Sequence, residues 1–523
     1  MTTFRCFLAM LVALPCVAQT GSATQAQVRI QVGEPYIPLP KALAAPRWCF
    51  LGQHERICLT IEDGAWRSQR LDLSTLKGVT ELSGQDLPKD AHVEMLDRFG
   101  DRLLMFYSWW DGEAQEERLA ERVVDMSTGR PGQDVLSISV HGKLSGYRMP
   151  PGAWKSNKIG KYRFLPSNNE QILHITYSSQ GAGLRDRTLL TLDTALNHVE
   201  SPFHFLQDPA GTRSIAITFL EDGSEVRAVR DHRPERNREK KKAVDPFSYA
   251  LMRTYPGDTA WTTLATATDD AELTSGLLYQ QDDGAIVFAT WYTTAERWHP
   301  EEGFLLLRAG GKETASGTLR LPMPDSLLLR GPLPTEQHKV KFGAAHMVDS
   351  TKQVTFVDVL AGDTSHVLVA EQRWIENGGQ QEALWFGNTD DLFLCAVNAA
   401  GRVLWTGCIP KRQRHEFSPL RTFLPMYYAG EHLFIRFDRM ANMHLPVVGE
   451  AATTGPRVLM VDRFDAMTGR HARELIADPS AWKIDGLVSP KVEDLFNIDG
   501  QRVLLMCSTE QGEQLPVVIT FEP

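Results

Sequence analysis

Short, strongly apolar runs recur along the chain, each introduced by a glycine or a polar turn. They fall at Gly100–Tyr107, Asn169–Tyr177, Gly211–Phe219, Gly284–Tyr292, Ser350–Val359, Gly430–Asp438 and Gly500–Ser508. The runs are four to eight residues of Val, Ile, Leu, Phe, Tyr and Trp, bounded by Gly, Asp, Asn or Pro, which is the signature of buried strands rather than helices. Long stretches with a 3.6-residue period are scarce. After several runs a second signal follows, an apolar segment ending in an Asp- or Gly-containing turn: Val123–Gly129, Leu190–Asn197, Phe304–Gly311, Phe393–Gly401 and Val458–Gly469. Aspartate caps its own backbone there and glycine accepts positive φ. The repeating unit therefore reads as strand, wide loop and hairpin, which is most of a four-stranded antiparallel sheet.

Most intervals between the runs are about 65 to 80 residues, and the step from 169 to 211 is shorter. Sheet units repeated at that scale pack around an axis or along a solenoid. The chain ends on an apolar segment, Leu515–Phe521, and Val28–Val32 near the start has no local partner. Pairing the two would remove the open edges that invite aggregation. The expected fold is all-β: a β-propeller of about seven four-stranded blades, six or eight also being compatible, closed by its first and last strands. An open β-solenoid would need shorter, more regular repeats.

Ala396–Trp405 (AVNAAGRVLW) resembles the repeat of pyrroloquinoline-quinone-type propellers: a small residue, an Asp or Asn, a glycine turn, then a tryptophan that packs between blades. Val123–Gly129 and Val461–Gly469 resemble the turn half of that repeat and lack the tryptophan. With the interlocking tryptophans missing from most repeats, no cofactor is expected. More broadly the chain resembles exported bacterial propeller proteins, many of which act as non-catalytic scaffolds; that resemblance implies a binding role.

Composition changes the picture in three places. Residues 1–18 carry Arg5, the apolar run Cys6–Leu14 and small residues at Cys16 and Ala18, the pattern of a signal peptide cleaved after Ala18. The remaining 19–523 reads as one propeller domain, monomeric and exported to the periplasm, cell surface or medium. No later apolar run is long enough for a membrane helix. The formal net charge of −10 argues against general nucleic-acid binding. Residues Arg227–Lys242 hold eight basic residues against three acidic ones. They read as a basic loop insertion, either a solvated excursion or a contact for an acidic partner through Arg233, Arg236, Arg238 and Lys240.

Cysteine is sparse. In Trp48–Leu59 a four-residue loop at Gly52–Glu55 would set Cys49 opposite Cys58, within disulfide reach; two buried free thiols fit the sequence equally. Cys395 and Cys408 flank another hairpin but are not opposed.

Catalytic signatures are missing. There is no G-x-S-x-G elbow, and His54-Glu55 and His415-Glu416 lack the second histidine of a zinc-binding helix. Asp282-Asp283-Gly284, Glu62-Asp63-Gly64 and Glu221-Asp222-Gly223 are adjacent acids that read as hairpin turns. Asn388-Thr389-Asp390-Asp391 is a better calcium-ligand cluster but still short of the alternating acids such a loop needs, and no metal site is expected. Thr60–Trp66 approaches the box of sialidase-like propellers once, one residue short. Aromatic residues give the binding signal. Trp109, Trp110, Trp291, Tyr292, Trp298 and Trp374 end or follow core strands, so their loops collect on one propeller face. They suit a platform for a peptide or sugar, or inter-blade packing. The sequence thus points to a non-catalytic platform for a protein or glycan. The alternatives are a polysaccharide hydrolase or lyase using a carboxylate pair in the central funnel, and a structural subunit of an envelope complex.

Overall fold

The computed structural model describes Thr24 to Glu522, apart from residues 40–47, 145–160, 168–170, 178–185, 205–210, 232–246, 295–300, 311–316, 329–352, 378–384, 416–421, 445–456 and some single or paired positions. The described residues form an eight-bladed β-propeller. Blade 1 comprises Trp48–Leu51, Glu55–Glu62, Ala65–Asp72 and Val79–Gly84, and blade 2 His92–Phe99, Arg102–Asp111, Glu116–Val124 and Pro131–His141. The second strands of blades 3 to 8 are Ile172–Tyr177, Glu225–Asp231, Ile286–Thr293, His366–Asn377, Glu431–Arg439 and Arg502–Ser508. Within each blade neighbouring strands run antiparallel, and the first strands of several successive blades contact one another, which sets them around the axis.

Closure is as the strand pattern requires. Val28–Val32 forms the outer strand of blade 8, with Val28 opposite Phe521 and Val32 opposite Val517. Arg502 Nη2 donates to Gln53 O of blade 1 across the same seam. Thr24–Gln25 adds a short parallel strand to the outside of blade 7.

The blade count of about seven is corrected to eight, and the register shows why. Blade 1 carries Arg56, Arg67 and Arg70 within its central strands, so its apolar runs are too interrupted to register as a repeat. Two of the seven markers, near 211 and 350, fall on the axial first strands Thr212–Phe219 and Gln353–Ala361 rather than on second strands. This slip produces the uneven 169-to-211 step.

The core is distributed over the seams. Apolar clusters join blades 1 and 2 through Leu103, Met105 and Tyr107, blades 2 and 3 through Leu104, Phe106 and Ile175, and blades 7 and 8 through Leu433, Val461 and Val517. Blades 8 and 1 meet through Leu504, Met506 and Leu71. Alternate residues of one strand therefore face opposite seams, and every central strand is buried on both sides. The turn chemistry is equally regular. Asp72 and Asp465 end third strands and Asp125 directly follows one, and each accepts backbone N–H bonds from the two residues at +2 and +3. In the turn after Glu62, Asp63 (φ 50°) and Gly64 (φ 78°) both take positive φ, the pairing a tight hairpin favours. Trp405 packs against Phe464 of blade 7 and donates from Nε1 to Ala466 O. A Cβ on Gly469 would lie 2.5 Å from the Trp405 ring, so glycine is required there.

Cys49 and Cys58 are directly opposed, with Cα atoms 4.1 Å apart and their sulfurs bonded. Cys395, Cys408 and Cys507 are buried free thiols, and burial pushes the Cys395 thiol up to about 12. The basic segment is corrected in part: Arg227–Asp231 belongs to the second strand of blade 4 rather than to a loop. Arg227 is buried there, paired with Glu225 and lying 4.7 Å from the Trp261 ring.

Candidate functional site

The second strand of blade 2, Arg102–Asp111, runs toward the face of the propeller on which first strands begin and second strands end, here termed the upper face. Leu103, Met105 and Tyr107 point to blade 1, and Leu104 and Phe106 to blade 3. The alternation continues to the strand end, so Trp109 leans to blade 1 and Ser108 and Trp110 to blade 3. Both tryptophans are half-buried. Trp109 stacks on Tyr107 at 5.5 Å. Beneath it, Tyr107 donates to Asp134 at 2.7 Å, Arg122 bridges Asp134 and Asp86, and Trp66 donates to Asp86 at 2.7 Å. Burial and the Asp134 hydrogen bond raise the Tyr107 phenol above its ordinary range.

On the blade 3 side Trp110 stands opposite Glu117 in the register, so the two side chains share a face. The exposed Lys143 places Nζ 5.3 Å from the Trp110 ring centroid, within cation–π range. Below lies a compact polar cluster. A bulge in the first strand makes Glu94 the extra residue between Val93 and Met95, and bulges re-aim side chains in this way. Glu94 accepts the Ser108 hydroxyl at 2.7 Å and the backbone N–H of Lys161 at 3.2 Å. His92 Nε2 sits 2.7 Å from Glu94 Oε1 and 3.2 Å from Ser108 Oγ. Lys161 Nζ is ion-paired with Glu117. Tyr162 is 5 % exposed, and its hydroxyl has no hydrogen-bond partner among the described residues. Burial, then the charges of Glu117 and Glu94, raise its phenol.

Chemically this is a pair of half-open aromatic rings over a fixed polar floor. Ser108 is completely buried and its proton is committed to a carboxylate. A nucleophilic serine instead needs an accessible oxygen and a base receiving its proton. Lys161 engages both carboxylates, Glu94 through its backbone N–H and Glu117 through its ammonium. Among the described residues no group of three or more His, Cys, Asp and Glu could hold a metal ion, and no helix is long and apolar enough to cross a membrane. An open groove of about 1340 Å³ follows the blade 1–blade 2 seam past Trp66, Arg70, Asp86 and Arg130, lined by charged residues of both signs and by apolar ones such as Leu103 and Val123.

The aromatic residues expected to share one platform separate. Trp291 is buried against Phe304 and Phe393, with ring centroids 5.1 and 5.4 Å away. Tyr292 is fully buried and donates to Glu301 at 2.7 Å. Both are seam packing in blade 5, where the second strand is buried almost to its end. Trp374 lies in the second strand of blade 6, opposite Asn388. Trp298, Arg233, Arg236, Arg238 and Lys240 lie outside the described residues. Sequence reasoning missed Glu94, Glu117 and Lys161. The Trp110–Glu117 spacing across the Asp111–Gln115 turn was a readable signal for one of them.

No family model matches the chain, and no curated protein is similar to it. Similar solved structures include a prolyl endopeptidase (9% identity, TM-score 0.34), whose alignment covers 90% of this chain and 55% of that one. The chain thus spans about half the length of that enzyme. An uncharacterized protein from Listeria monocytogenes EGD-e has 9% identity and TM-score 0.33, over 90% of this chain and 94% of that one. The WD40 domain of Toxoplasma gondii coronin has 9% identity and TM-score 0.32, over 96% and 90%. No activity or partner is carried over from them.

Proposed function

We propose that this protein is an exported, non-catalytic binding platform of the cell envelope that takes a protein or glycan through the upper face at blade 2. One observation carries the reading: Trp109 and Trp110 are half-buried side by side at a strand end, above polar groups already tied to one another. Such aromatic residues bury large area on contact at small entropic cost. Export rests on the charged, apolar and small-residue pattern of residues 1–18. The basic residues Arg233, Arg236, Arg238 and Lys240 supply a second, electrostatic contact. A polysaccharide hydrolase would need an open acid pair, and Glu94 and Glu117 are buried, each bonded by Lys161.

The test is capture of partners from envelope extract by the mature protein and by Trp110→Ala, with a glycan array alongside. Loss of a reproducible partner or glycan in the variant, with an unchanged melting temperature, supports the platform. Equal capture by both proteins rejects it.

A further inference from the structure

The upper end of the blade 2–blade 3 seam already holds two ammonium groups, and both belong to the chain itself. Lys143 lies over the Trp110 ring, and Lys161 is paired with Glu117, the residue opposite Trp110. An aromatic face and a carboxylate side by side form a cation receptor: the ring quadrupole and the anion both favour an alkylammonium, and burial strengthens each.

Resting on the platform reading above, we infer that this surface receives a lysine side chain of a partner polypeptide, whose ammonium replaces Lys143 on Trp110 or Lys161 on Glu117. Lys143 and Lys161 are then internal occupants that the partner displaces. Lys143 leaves readily because it is exposed, and Lys161 is one-quarter exposed whereas Glu117 beneath it is almost sealed. A peptide fits better than an anionic glycan because the group opposite Trp110 is the carboxylate Glu117, while Asp111 and Glu116, on the blade 1 side of the same strand end, are already paired with Arg118. The overall charge of −10 favours a basic partner as well.

The probe is a hexalysine peptide blocked at both ends, compared by calorimetry with its side-chain-acetylated form and with a glucosamine hexamer. The expected result is binding of hexalysine at 150 mM salt and at least tenfold weaker binding of the acetylated peptide. Trp110→Ala should weaken hexalysine by about three- to thirtyfold, and Lys143→Ala should strengthen it about threefold by vacating the ring. Lys143 is exposed, so that gain is readable without concern for folding; Glu117→Gln provides a second loss variant. Equal affinity across wild type, Trp110→Ala and Lys143→Ala would mean general charge attraction and overturn the inference. Preference for the glucosamine hexamer over hexalysine would overturn the peptide assignment. If hexalysine ignores Trp110 while Trp110→Ala still loses its envelope partner, the ammonium inference fails and the platform stands; if neither depends on Trp110, both fall.

Discussion

The seam between blades 6 and 7 and the upper end of the seam between blades 2 and 3 are built from the same residue types with opposite outcomes. At the 6/7 seam Arg436, Asp462, Glu371 and Lys411 are all completely buried. Asp462 receives Arg436 Nε at 3.0 Å, Arg473 Nε at 2.7 Å and His471 Nε2 at 2.8 Å, while Arg436 also pairs with Asp438. Glu371 receives Lys411 at 2.6 Å, Arg373 at 2.6 Å and Thr422. Burial alone would raise the Asp462 carboxyl, but Arg473 and Arg436 outweigh it and hold it well below the usual carboxylate range. At the 2/3 seam Trp110, His92 and Lys161 remain partly open to solvent. A sealed ion cluster has its partners fixed and specifies how two blades dock. A half-open one beside an aromatic ring can exchange its partners. Function is therefore sought where the polar groups reach water, and structure where they do not.

The sharpest break of the comparison is charge removal at each place. Arg436→Met leaves Asp438 and Asp462 under-compensated in the interior and should cost about 3–5 kcal/mol in urea unfolding. Arg118→Ala, at the same open strand end of blade 2 but on its blade 1 side, removes an equally charged, part-exposed partner of Asp111 and Glu116 and should cost less than about 1 kcal/mol. Similar costs for the two would erase the distinction.

Glu121 comes next. It is fully buried on the blade 3 side of blade 2, and neither carboxylate oxygen has a hydrogen-bond partner among the described residues. Burial pushes its carboxyl up to about 7, opposed only by Arg102. The folded value exceeds the unfolded one, so the contribution to stability is full below about pH 4.5 and is lost as pH rises to about 7. Glu121→Gln should gain roughly 2–3 kcal/mol at pH 8 and little at pH 4, read from denaturation midpoints across pH. A gain that does not vary with pH would place the effect elsewhere.

His432 works in the other direction at the 6/7 seam. It is completely buried, and burial, with His366 nearby, lowers it to about 4. The unfolded chain binds the proton first, so stability should fall as pH drops from about 6.5 to 4 and then level off. His432→Asn should flatten that slope, whatever it does to the absolute midpoint. The smallest stability effect belongs to Trp110→Ala, within about 1 kcal/mol of wild type in the same assay, because the ring is already half-hydrated. A larger loss would make Trp110 a packing residue.

Much of the architecture was legible because it depends on local chemistry. Apolar runs, Asp-capped turns and the unpaired Val28–Val32 each declare a strand, a turn or an edge without reference to distant residues. The missed blade was illegible for the complementary reason. Arg56 and Arg70 become acceptable in a central strand only through tertiary partners: Arg56 donates to the Tyr36 hydroxyl at 2.9 Å and Arg70 to Met126 O at 2.9 Å. The candidate site divides the same way. Trp109 and Trp110 stand out by type and position. Trp291, with the same strand-end address, is consumed by Phe304 and Phe393 from other strands. Glu94 enters the site through a bulge, and a one-residue change of register leaves no mark in composition.

The central claim is that the upper end of the blade 2–blade 3 seam is the surface through which this protein binds. Hydrogen–deuterium exchange on the mature protein, with and without a partner captured from envelope extract, tests it most directly. The account predicts slowed exchange at Trp109–Glu117 and at Lys161–Arg163, with the Arg436–Arg439 region unchanged. Protection confined to the opposite face, at turns such as Asp125–Arg130 and Asp465–Arg470, would contradict it.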